Sequence, residues 1–113
     1  MNVVVLRGAL GRAPEVRELS DGSRLTLLEI CTELDSGRVT VPVAWPAAAE
    51  PLPDAGAEVV VTGHVRRRFF RAGGSTQSRT EVVADTVVLA RARAKARKAI
   101  EQALDRAADA GAP

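Results

Sequence analysis

The chain has 113 residues, enough for one domain with a single hydrophobic core. With 46% hydrophobic and 27% charged residues and a net charge of +2, it is neither a disordered tail nor uniformly basic, so any surface for a polyanion has to be local. A single cysteine excludes an intrachain disulfide and favours a reducing, cytoplasmic setting; MNVVVLRGAL does not read as a signal peptide, and no apolar run nears the ~18–20 residues that span a bilayer, so no membrane partner is expected.

VVVLRGAL (3–10) predicts a first strand, with Gly8 and Gly11 suggesting a bulge or sharp coil within it. SDG (20–22) turns into RLTLLEICT (24–32), a second strand, and DSG (35–37) turns into RVTVPVAW (38–45), a third. Val39, Val41, Val43 and Trp45 share one face of that third strand by period-2 alternation. Pro42 has no N–H to donate, which puts the strand at an edge or at a bulge. PAAAEPLPDAG (46–56) is a connector in which Pro51 and Pro53 leave room for one helical turn at most. EVVVTGHVRRRFFR (58–71) predicts a long fourth strand bent at Gly63. AGGSTQS reads as a loop, and TEVVADTVVLA (80–90) as the fifth strand. Short strands without a sustained helix before residue 90 predict a mainly β fold, a small closed barrel over residues 1–90.

From Arg91 the composition changes. ARARAKARKAIEQALDRAADA is built of strong helix formers, so residues 91–113 are expected to be a basic, Ala-rich helical tail ended by Gly111 and Pro113. Ala96, Ile100, Leu104 and Ala107 would form its apolar stripe, to dock on the barrel or on a partner.

Charge is concentrated in one place. Residues 1–90 hold 10 arginines and 11 acids, yet the stretch between Val65 and Thr80 holds five arginines and no acid. Two of the three aromatics, Phe69 and Phe70, sit inside it. Alternation places Val65, Arg67, Phe69 and Arg71 on one face of a strand and Arg66, Arg68 and Phe70 on the other, so both rings cannot be core. Guanidinium groups pair with phosphates and an exposed ring offers a π-face to a base, the combination that binds an unstacked strand. The residues alone leave a second reading open, in which one ring is core, the other covers a hairpin or a subunit contact, and the arginines are solvated. Nothing points to an enzyme, a metal or a cofactor. His64 and Cys31 lack partners at ligand or catalytic spacing, GALGRAP has no Lys-Ser/Thr to make a phosphate loop, and Glu15, Glu18, Glu29 and Glu33 show no acid/base pairing.

Four segments together resemble the bacterial single-stranded DNA-binding protein family: NVVVLRGALGRAPEVRELSDG (2–22), RLTLLEICTE (24–33), GAEVVVTGHVRRRFF (56–70) and RTEVVADTVVLA (79–90). The resemblance implies a five-stranded OB-fold Greek-key barrel that binds single-stranded DNA in replication, repair or recombination and assembles as a homodimer or homotetramer. By position, Phe70 and Trp45 fall on base-stacking aromatics, and Arg66 and Arg68 on basic strand positions, leaving Phe69 as the core ring. Arg67, Arg71 and Arg79 complete the expected DNA-binding set. The departures are a hairpin shortened to ELDSGR, a lost barrel helix and, in place of the family's acidic C-terminal tip, the basic helix. The aromatics lost with the hairpin and the absent tip favour an alternative, an OB-fold interaction module of the primosome-accessory kind whose barrel and C-terminal helix hold a protein partner such as a replication or repair protein; the retained Arg66, Arg68 and Phe70 face disfavours it.

Overall fold

A computed structural model of the chain describes residues 1–109, so Gly111 and Pro113, expected to end the helix, lie outside the described residues. The barrel strands are β1 (Val4–Leu10), β3 (Arg24–Leu34), β4 (Gly37–Trp45), β5 (Glu58–Ala72) and β6 (Ser75–Leu89); burial alternates along the middle of β3, whereas β4, β5 and β6 each have a buried block and an exposed block. They pair in the order β1-β5-β6-β4-β3, and β1 returns to β3 through Ala9↔Cys31 and Leu10↔Ile30, which closes a five-stranded barrel. β4 and β6 run parallel where they meet, at Val43↔Val82 and Ala44↔Val83; the other pairings are antiparallel. Pro42 stands one residue before that parallel contact, on the stretch of β4 that pairs with β3 alone, where its missing donor costs no ladder bond on the β6 side.

Inward residues from each barrel strand meet in one core: Leu10, Leu28, Ile30, Val43, Trp45, Val59, Val61, Val82 and Ala84. The connector 46–57 holds no helix and lays Ala48 and Leu52 against this core instead. At Gly63 a Cβ would collide with the carbonyl of Val83, so only glycine allows the two strands to approach where a bulge shifts the β5–β6 register.

Three differences from the sequence reading concern bounds and faces. β2 (Glu15–Glu18), fully exposed, pairs with β3 outside the barrel; with one apolar residue it has no alternation to betray it. Ser75–Ser78 belong to β6 and are no loop, because Gly73 and Gly74 alone make the turn. The helix α1 (Arg93–Asp109) docks on β5, β6 and β1, but through Ala96, Ala99 and Ala103, while Leu104 is 58% exposed. Small side chains let the helix approach β5 closely, beside outward-facing Val60. Arg106 reaches the bulged Asp85 at 3.8 Å near its far end.

Candidate nucleic-acid interface

Gly73 and Gly74 both have positive φ (59° and 81°), the conformation of a two-residue hairpin turn whose twist matches its strands. Pairing therefore runs unbroken from Ala72↔Ser75 down to Val65↔Val82. Residues 65–72 and 75–80 are exposed throughout, so the hairpin leaves the barrel as a two-stranded arm about 20 Å long.

Val65 lies opposite the core residue Val82, which identifies the face it shares with Arg67, Phe69 and Arg71 as the continuation of the barrel's inner side. Arg66, Arg68 and Phe70 point outward, opposite Glu81, Arg79 and Gln77 respectively. A small cleft lined by four arginines (Arg12, Arg17, Arg68, Arg79) and three carboxylates (Glu15, Glu29, Glu81) joins this outer face to β2, β3 and β4. Within it the Arg17 guanidinium, by its 2.9 Å hydrogen bond first and its charge second, holds the Glu15 carboxyl below its ordinary pKa.

Glu81 organises the outer face. Its carboxylate is 4% exposed and lies 3.0 Å from Arg66 Nη2 and 3.5 Å from Arg68 Nε, whose side chains are about half exposed. The Arg68 guanidinium also sits 5.8 Å from the centre of the Phe70 ring, within cation–π range. Directly across the ladder from Arg68 stands Arg79, and like charges at such a pair destabilise a bare hairpin. Glu81, 3.5 Å from Arg68, offsets part of that repulsion, and a bound anion would offset more.

The residues expected from sequence thus divide. Arg66, Arg68, Phe70 and Arg79 come together on the outer face; Arg67 and Arg71 lie on the opposite face of the same arm. Trp45 belongs to neither: at 7% exposure it is a core residue, and the cavity it helps to line lies beside the 46–57 connector, not on the arm. β4 and β6 run parallel, so Trp45, past their contact, lies toward the barrel end away from the arm. Phe69 is not core either, being 66% exposed, because the arm has already left the barrel at its position. Glu81 is not among the residues expected from sequence. Counting outward from a two-residue Gly73–Gly74 turn places Arg66 opposite it, so the signal was present once the turn length was right. His64 is half-buried on the outer side, and Cys31 Sγ lies 3.6 Å from Thr40 Oγ1; among the described residues no His, Cys, Asp and Glu cluster could hold a metal ion.

No protein-family model matches the chain, and no curated protein does. Solved structures do: 145 chains match. The SSB of Plasmodium falciparum in complex with ssDNA superposes with a TM-score of 0.68 at 17% identity, over 79% of this chain and 94% of that one. With that likeness beside the strand order and the docked helix, the architecture is an OB-fold barrel carrying one C-terminal helix.

Proposed function

We propose that the protein binds single-stranded DNA with little regard to sequence, through the outer face of the β5–β6 arm. The observation that carries this reading is the exposed Phe70 ring with the Arg68 guanidinium over it and Arg66 and Arg79 on the same face. The ring stacks a base, since every base has a π-face, while the guanidiniums follow the phosphates. The cleft toward β3 and β4 extends the path across the barrel. A solved OB-fold of the same shape, an SSB held with ssDNA, supports the same partner. Replication, repair and recombination all expose unpaired strands, and we place the protein in those processes. Self-association fits as well: β1 pairs with β3 only at Ala9 and Leu10, which leaves the rest of that edge for a second copy.

Fluorescence anisotropy of a labelled oligo-dT of about 30 nucleotides, against a matched duplex at two salt concentrations, tests the reading. Preference for the single strand, weakened by salt, is the expected result; equal or absent binding overturns it.

A second reading, a protein-interaction module, is favoured by one observation. Glu81 already neutralises part of the Arg66–Arg68 charge, and Trp45 supplies no second ring to the outer face. Under it, neither oligonucleotide nor duplex binds at low salt, and α1 holds a replication or repair protein.

A further inference from the structure

The inner face of the arm carries an aromatic of its own. Phe69, at 66%, is more exposed than Phe70, at 41%, and stands between Arg67 and Arg71 on one face. Its ladder neighbours on β6 are Thr80, Ser78 and Thr76, short hydroxyl side chains that neither cover a ring nor neutralise a cation. Among the described residues no carboxylate lies within salt-bridge distance of Arg67 or Arg71, whereas Arg66 and Arg68 share Glu81. The Arg71 guanidinium donates to the Gly74 carbonyl at 3.1 Å, which holds it beside the turn.

A single exposed apolar side chain needs no explanation. A ring bracketed by two uncompensated guanidiniums is different. Aromatic residues and arginine are enriched at protein–protein contacts as well, so composition alone does not choose the ligand; two cations without a carboxylate partner, one on each side of a ring, do. A ligand that is anionic along its length and aromatic at intervals matches both features at once. The two glycines at the tip carry no side chains, so a strand can pass over the turn from one face to the other without obstruction.

We propose that Phe69, Arg67 and Arg71 form a second single-strand subsite, on the face of the arm opposite Phe70, and that a strand long enough to cross the hairpin tip engages both. The inference rests on the single-strand reading of the outer face. It makes the arm a two-sided platform in which the outer subsite, continuous with the barrel cleft, captures short strands and the inner one adds length.

The test compares oligo-dT of about 8 and about 30 nucleotides on the wild-type protein, Phe69→Ala and Phe70→Ala, with light scattering on each. Phe70→Ala is expected to weaken both lengths. Phe69→Ala is expected to keep the short strand's affinity near wild type, weaken the long strand roughly tenfold and reduce the nucleotides occluded per protein. Circular dichroism checks the fold, which an exposed ring does not support. Wild-type behaviour of Phe69→Ala with both lengths, beside a loss in Phe70→Ala, overturns the second subsite and leaves the outer-face reading standing. A Phe69→Ala protein that loses molar mass and weakens both lengths equally assigns the ring to a contact between copies, which also overturns it. Failure of the wild-type protein to bind either strand removes both readings.

Discussion

The carboxylate of Glu81, 4% exposed, lies 3.0 Å from the Arg66 guanidinium on the one face of the arm where Phe70 also stands. The arrangement has two consequences that oppose each other. Glu81 holds Arg66 and Arg68 in place before any ligand arrives, and it competes with a phosphate for the same donors. Both arginines are about half exposed and stay hydrated when unpaired, so competition outweighs positioning. Glu81→Gln is therefore expected to tighten oligo-dT binding at low salt and to steepen its salt dependence, by up to about 0.7 in the log–log slope for each further phosphate neutralised. The stability cost should stay near 1 kcal/mol, because no unpaired charge is left buried. Salt-titrated anisotropy and urea unfolding read the two effects; weaker binding with unchanged stability would assign Glu81 to positioning instead.

Phe70→Ala separates binding from folding. The ring is 41% exposed, with the Arg68 guanidinium over it, so little core packing is lost. Affinity for oligo-dT should fall by about 1–3 kcal/mol while the thermal midpoint stays within a few degrees of wild type. An unchanged affinity would remove Phe70 from the interface.

Trp45 is the chain's one tryptophan and therefore a private probe of the barrel core. Its emission should be blue-shifted in the folded protein and should not be quenched when oligo-dT is added. Strong quenching would mean that a base reaches the ring. Trp45→Ala should cost about 3–5 kcal/mol in stability, the usual loss for a buried aromatic.

Gly63→Ala tests the bulge. The added methyl meets the Val83 carbonyl oxygen, a backbone atom that moves only with the β6 strand. A loss of more than about 2 kcal/mol in chemical unfolding is expected. A silent substitution would mean that the β5–β6 register can slip at Thr62.

Where side chains alternate between water and core, the fold was legible. The run Val39, Val41, Val43, Trp45 enters the core at its last members, and the arginine strand divides into the faces that alternation prescribes. The differences at Ser75–Ser78, β2 and α1 share one cause, the use of hydrophobicity where burial does not follow it. Ser75–Ser78 form strand with neither face buried, held by ladder bonds to β5, so a polar run looked like a loop. β2 is charged and exposed and exists only as a partner for β3. In α1 helical spacing puts the larger Leu104 on the apolar stripe, whereas close helix-on-sheet packing selects Ala99 and Ala103. The Phe69 error had a different origin: with two adjacent rings one had to be core only if the strand was still inside the barrel there, and it is not.

The most direct measurement is a backbone amide chemical-shift map of the labelled protein as oligo-dT is added at low salt. Binding along the outer face of the arm should place the largest shifts on Arg66, Arg68, Phe70, Gln77 and Arg79, with α1 unmoved. No shifts, or shifts confined to α1 and the 46–57 connector, would rule that face out as the binding surface.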